Sequence, residues 1–286
     1  MFRICFLTAE VRTSKRFVFL AVLAVGFVAS PAPGRAAESE QTINHGAVTA
    51  ARKSVEMVSA LVEHLQADIV EELAGVKEKT LFRLADQTQH ELEVLGKALT
   101  AKNPTRLDLY KQFDSVDRKV TALVKATVEL SPKRPTLQRG ADRVRVQNDD
   151  LHYLLSAGDG TKERQHQVLV RQAKSMTTAA KQFAAAADYA ILERPGGAPF
   201  VGAVKTLAEQ CAAFEKSAGE GDIEVCKKEF SALTDTWGKV VQGFLLLPPR
   251  EDYHIARLGF RVDQYHLRLF ELLKMPGSRP QLTINL

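Results

Sequence analysis

The chain has 286 residues, 45% of them apolar and 26% charged, close to the usual balance of a globular protein and far from that of a disordered one. Its 17 glycines and 11 prolines exclude collagen-like and Pro/Gly-rich low-complexity chains. The formal net charge is +5, but Arg3, Arg12, Lys15, Arg16 and Arg35 against Glu10 all fall within residues 1–37. The remainder carries 34 basic and 33 acidic residues. That balance leaves no global positive field of the kind that gathers nucleic-acid phosphates, so nucleic acid is excluded as the main partner.

Residues 1–37 read as an export signal. The basic start is followed by the apolar stretch Phe17–Ala29, which at 13 residues is too short for an ordinary membrane span. Small residues at Ser30, Gly34 and Ala37 offer cleavage points. An exported fate follows from that reading: the mature protein is expected to be periplasmic or secreted, with no stable membrane span.

From Thr42 onward the apolar spacing is 3 and 4 almost throughout, and alternating strand patterns are essentially absent, which predicts an all-α protein. The first helix shows Val48, Ala51, Val55, Val58, Val62, Leu65, Ile69 and Leu73 inward; the second shows Leu81, Leu84, Thr88, Leu92, Leu95 and Leu99. Asn103 and Pro104 end it, because proline cannot continue a helix interior and restricts the residue before it. A third helix is expected over 105–130, a break at 131–135, and a fourth over 136–156, closed by Gly158–Gly160. The second half repeats the plan: a helix over 161–192, a PGGAP break, a helix to Ser217, a helix to Leu246 and a last helix over 252–274, before an irregular tail over 277–286.

The two halves align. FDSVDRKVTALVKATVELSPKR from Phe113 pairs without gaps with FSALTDTWGKVVQGFLLLPPRE from Phe230, making Phe113/Phe230, Val124/Val241, Leu130/Leu247 and Pro132/Pro249 identical. After a three-residue loop difference, Arg143/Arg257, Asp149/Asp263 and His152/His266 coincide. The expectation is two tandem up-down four-helix units from an internal duplication, over 38–157 and 158–276.

Chemistry-bearing residues are few. Cys211 and Cys226 lie almost equally far from the centre of the turn SAGEGD (217–222), which predicts that they face each other across a helix pair and form a disulfide in an oxidising compartment. Asp149 with His152, and Asp263 with His266, are three apart and share a helix face, a spacing that suits either a metal ion or a polar cross-brace between helices. His90 with Asp86 or Glu93 offers a further ligand group in the first half only. No nucleophile elbow or phosphate-cradling loop is present, and GDG at 158–160 opens a polar turn, so no catalytic residue is assigned.

Met57 and His152 stand on the first and fourth helices, Met176 and His266 on the fifth and eighth. In this arrangement the chain resembles the small exported four-helix cytochromes of the soluble b type, and AGEGDIEVCKKEFSALTDTWGKVVQGF is similar to the last helix of the c-prime type with its turn. The resemblance implies haem b held by Met57 with His152 and by Met176 with His266. Where the c-prime family carries CxxCH, this chain has Trp237, Val240 and Val241, which removes covalent haem attachment. The reading of the residues themselves is an exported, non-catalytic helical-bundle protein without a cofactor, acting by binding or structural association with a protein or envelope component. A haem- or metal-binding bundle is the alternative.

Overall fold

The computed structural model describes residues 45–101, 104–156, 162–247 and 253–282; the leader read over 1–37 lies outside them. Eight α-helices and no strand occur among the described residues: α1 His45–Glu72, α2 Val76–Leu99, α3 Arg106–Leu130, α4 Pro135–Ser156, α5 Lys162–Ile191, α6 Gly197–Glu220, α7 Ile223–Leu246 and α8 Tyr253–Leu272. None of them is long and apolar enough to cross a membrane.

Local chemistry sets the ends. The Thr105 hydroxyl accepts from the Asp108 N–H at 3.2 Å to start α3, and the Asp222 carboxylate accepts from the Glu224 and Val225 N–H groups to start α7, each satisfying donors that a helix leaves orphaned in its first turn. Pro135 opens α4, where its missing N–H costs nothing. Gly221 closes α6 in the left-handed region, φ 84°, and its N–H reaches the Ser217 carbonyl at 3.2 Å.

In the first half, α1 packs on α2, α2 on α3, α3 on α4 and α4 back on α1. Their inward stripes, from Ala51 and Val55 to Leu151 and Leu155, form one apolar cluster. Gly140 lets α4 approach α1 closely, since a Cβ there would meet Leu65 Cδ1 at 3.0 Å. A second cluster gathers α5 to α8 and Leu282, around Phe183, Phe214, Phe230, Trp237 and Tyr265. Here α5 packs on α6 and α8, and α6 on α7, but α7 and α8 do not approach at the backbone as the other consecutive helices do. The described residues nonetheless all fall within one compact unit.

The join between the clusters is polar. Asp149 of α4 lies level with Arg171 and Ser175 of α5, while Asp142 and Gln182 share Arg261 of α8. Helix α4 therefore runs antiparallel to α5 and parallel to α8, lying along the groove between them.

The predicted disulfide is corrected by the fold. Cys211 and Cys226 are both free thiols, and both are buried. Helix α6 continues through Glu220, so the turn is centred on Gly221 and Asp222 rather than in the middle of SAGEGD. Counting outward from there, Cys211 is level with about Leu233 and Cys226 with about Ser217. At about 1.5 Å per residue the mismatch of about six residues separates them by about 9 Å along the axis, beyond the roughly 4.4–6.8 Å between Cα atoms that a disulfide spans. The contact between Phe214 and Phe230, ring centroids 5.4 Å apart, marks the actual register. Burial pushes the Cys211 thiol up to about 12, with Glu215 adding to the effect, so it is also a poor nucleophile. Alkylation with and without prior reduction, under denaturing conditions and read by mass, is expected to label Cys211 and Cys226 equally in both samples. Labelling only after reduction would contradict this register.

Candidate functional site

The histidines take similar places in the two clusters. His152 is 6% exposed, with its ring against Phe113 (centroids 5.5 Å apart) and its Nε2 3.3 Å from the Tyr110 hydroxyl. His266 is fully buried, stacked on Phe230 at 4.9 Å, with Nε2 3.0 Å from the Thr234 hydroxyl. Thr234 spends its own proton on the Phe230 carbonyl at 2.8 Å. His266 Nε2 must then be the donor, which leaves Nδ1 a bare acceptor, and neither histidine's Nδ1 has a hydrogen-bond partner. A second proton on either ring would sit in an apolar surround with nothing to receive it. Burial accordingly lowers His152 to about 4, helped by Arg171 and opposed by Asp117, and lowers His266 to about 3, helped by Arg279.

The aspartates three residues away serve other partners. Asp149, 3% exposed, receives Arg171 Nε at 2.7 Å and Ser175 Oγ at 2.6 Å from α5, and Arg145 Nη1 at 3.1 Å from its own helix. Arg171 extends to Asp117 of α3 at 2.8 Å, and Asn148 donates to the same carboxylate at 2.6 Å. Arg145 continues to Asp142, which Arg261 of α8 also holds at 2.9 Å. Burial raises the Asp142 carboxyl, but Arg145 and Arg261 outweigh it and keep the group below its ordinary range. Farther along, Arg268 of α8 donates to Asp150 at 2.6 Å, and Tyr153 donates to Glu271 at 2.8 Å. The result is a ladder of alternating charge along α4 that fastens it to α5 and α8.

Asp263 is built into a different device. Its carboxylate accepts the Trp237 indole N–H at 3.2 Å and a two-point contact from Arg279, with Nη1 to Oδ1 at 2.6 Å and Nη2 to Oδ2 at 3.2 Å. Arg279 belongs to the segment after α8, over which the sequence reading expects only an irregular tail. Lys274 in the left-handed region and then Gly277, φ 87°, turn the chain back on itself, with the Met275 N–H reaching the Phe270 carbonyl at 3.0 Å. Pro280 then lies against Gly238 of α7, and Leu282, 4% exposed, against Gly259 of α8 and Phe183 of α5.

These positions decide how well the sequence-derived ligands fit a cofactor. Met57 is 50% exposed on α1, whereas His152 is buried between α3 and α4. Met176 is buried in the second cluster, but the ring contacts of His266 are to Phe230, Trp237 and Phe270. His152 Nε2 faces the Tyr110 hydroxyl and His266 Nε2 the Thr234 hydroxyl rather than a methionine sulfur. Asp149 with His152 and Asp263 with His266 do not converge either, since each carboxylate faces arginine and each imidazole faces a hydroxyl. Asp86, His90 and Glu93 line an open hollow on the outer side of α2 with Lys119. No cluster of three or more His, Cys, Asp or Glu positioned for a metal occurs among the described residues.

Arg171, Asp117, Arg145 and Arg279 are the working residues that sequence reasoning passed over. The signal for Arg171 lies in the packing rather than in the spacing. Helix α5 is buried at Gln172, Ala173, Ser175, Met176, Thr177, Ala179 and Ala180, around more of its circumference than one amphipathic stripe allows, and so must face two neighbours. Comparison with known proteins adds nothing to this geometry: no family model, no curated protein and no solved structure matches the chain.

Proposed function

We propose that this is an exported, periplasmic or secreted, non-catalytic protein of two tandem four-helix units derived by duplication, acting by association with a protein or envelope component and needing no cofactor. The observation that carries the reading is the commitment of the polar residues to one another. The acids and bases that a chemical role would require are spent on structure, with Asp117, Asp142, Asp149 and Asp150 engaged by Arg145, Arg171, Arg261 and Arg268. Acids matched to arginines in this way are braces, engaged in holding helices together rather than left available for acid-base chemistry. What supports the duplication is that the aligned Phe113 and Phe230 each pack a ring against the aligned histidine, tilted at 5.5 Å in the first half and stacked at 4.9 Å in the second.

The test is a visible spectrum and metal analysis of the protein recovered from the compartment it reaches in the cell, with sequencing of its mature N-terminus. The expected result is a colourless protein with metal far below one ion per chain, beginning between Pro31 and Glu38. A Soret band at stoichiometric strength, lost on replacing His152 and His266, would overturn the cofactor-free reading, and an intact Met1 would overturn export.

A further inference from the structure

Consecutive helices reverse direction throughout, so α1, α3, α5 and α7 stop, and α2, α4, α6 and α8 start, at one end of the molecule. That end is level where the ladder allows it to be measured. Asp142 and Gln182 share Arg261; they stand 7 residues in from the start of α4, 9 before the end of α5 and 8 in from the start of α8. At about 1.5 Å per residue the three helix ends agree to within about 3 Å.

Apolar side chains that the core does not take collect here. Tyr189 is 95% exposed, Leu246 85%, Val76 81% and Leu245 62%, with Val70 and Val128 about half exposed. Each lies in the last turn of its helix or, for Val76, in the first. The opposite end shows Leu107, Ile223 and Val225, none more than 54% exposed. The run Phe244–Leu247 gives the cause, since a helix of 3.6 residues per turn cannot aim four successive side chains inward. Phe244 and Leu247 pack on the core while Leu245 and Leu246 project.

Arginine stands beside these tips. Arg139 and Arg143 lie one turn apart on α4, and Arg257 and Arg261 one turn apart on α8, all but Arg261 exposed. The four crowd one another: burial lowers the Arg257 guanidinium, and Arg143, Arg261 and Arg139 lower it further against the opposing Asp142. Asp142 is already shared by Arg145 and Arg261. Tyr189 lies two turns beyond Gln182 on the same face of α5, the face that meets Arg261, which places its ring at the edge of this group. On the other side of the end, Glu71 and Glu72 share an open hollow with Lys77, Lys133 and Arg134, so the positive excess is concentrated between α4 and α8.

We propose that this end of the molecule docks on an anionic phospholipid surface, with Tyr189, Leu245 and Leu246 entering the boundary between headgroups and acyl chains and Arg139, Arg143 and Arg257 pairing with lipid phosphates. Separate apolar tips on a level end need only a fluid layer a few Å deep, whereas a protein partner would need a pocket for each. Tyrosine prefers the headgroup level, and the arginine fork suits phosphate. No helix among the described residues is long and apolar enough to cross a membrane, so the protein lies on the surface. The inference deepens the association reading above and rests on it, making the envelope component a bilayer.

The test sediments the mature chain with vesicles of phosphatidylcholine alone and with vesicles in which half the lipid is phosphatidylglycerol. The expected result is binding at least about tenfold tighter to the anionic vesicles, weakening as salt rises. Arg143→Gln/Arg257→Gln should lose about tenfold or more on the anionic vesicles, and Leu245→Ser/Leu246→Ser a similar factor. Leu107→Ser/Ile223→Ser, at the opposite end, should bind as the natural chain does. All these side chains are exposed, and a cooperative thermal melt checks each fold; should Leu245→Ser/Leu246→Ser not melt cooperatively, Tyr189→Ser takes its place. No sedimentation with anionic vesicles, binding unchanged by the variants at this end, or equal loss in the opposite-end variant overturns the proposal. So does a concentration-dependent dimer abolished by Leu245→Ser/Leu246→Ser with vesicle binding intact, which would make the tips a contact between protein copies. Vesicle failure leaves the cofactor-free, protein-binding reading standing, whereas a Soret band or an intact Met1 would defeat the reading above without touching the variant comparison.

Discussion

Lowering the pH from 7 to 4 is expected to remove on the order of 6 kcal/mol of stability through His152 and His266, about 3 kcal/mol from each. Both rings are held neutral in the fold, at about 4 and about 3, against an ordinary value of 6.5. Between those limits the unfolded chain binds protons that the native chain refuses. Their contribution is therefore complete above about pH 6.5 and is lost progressively as the pH falls toward 4. Burial is the larger cause at both sites, and the positive neighbours Arg171 and Arg279 add to it. Urea-unfolding free energies from pH 4 to 8 should show the slope. His266→Phe, which retains stacking on Phe230, should remove about half of it, even though the variant loses the hydrogen bond to Thr234. An unchanged slope between pH 4.5 and 6.5 in His152→Phe/His266→Phe would assign the acid sensitivity elsewhere.

Replacing Arg171 by alanine is expected to cost about 3 kcal/mol, the low end for breaking a buried ion pair, and to lower Tm by about 6–12 °C for a chain of this size. Two carboxylates lose their strongest partner at once. Asp149 keeps Arg145 and Ser175, and Asp117 keeps Asn148, so neither is left wholly unpaired. Replacing Asp149 alone should cost a similar amount, and the double variant clearly less than the sum, because both single variants remove the same Asp149–Arg171 contact. Thermal melts followed by circular dichroism decide the matter. A Tm within 2 °C of the natural chain for Arg171→Ala, or full additivity in the double variant, would show that the ladder contributes little to holding α4 against α5.

The sequence carried the helices because each has a stripe spaced by 3 and 4 and an interruption by proline, glycine or a capping side chain. The same stripe places Met57 outward: Val55 and Val58 face in, and a residue between them on a helix cannot. The haem pairing took Met57 by its helix alone, without applying that test. The cysteine prediction failed on three residues of helix length, since Ala218, Gly219 and Glu220 look like a turn but continue α6 until Gly221 reverses the chain. The ladder was harder to see, because Asp149 and Arg171 are each ordinary helix-surface residues until α4 is laid into the groove between α5 and α8. Gly259 was a readable sign that something approaches α8 closely, but nothing in the spacing of 277–286 identifies the tail as what arrives.

The order in which the ladder's two sides are made has a consequence for synthesis. Helix α4 emerges from the ribosome with Asp142, Asp149 and Asp150 already in place, and its apolar stripe can close against α1 to α3 at once. Arg171 follows soon, but Arg261 lies 119 residues after Asp142 and Arg268 lies 118 after Asp150. At about 5–20 residues per second those partners arrive roughly 6 to 24 s later. During that interval the nascent first half presents an acidic, hydrated flank where a two-bundle protein joined by leucine and phenylalanine would present a sticky one. A joint made of charge gives the half-made chain a flank less prone to association than an apolar one would be, until the arginines that complete it have been translated.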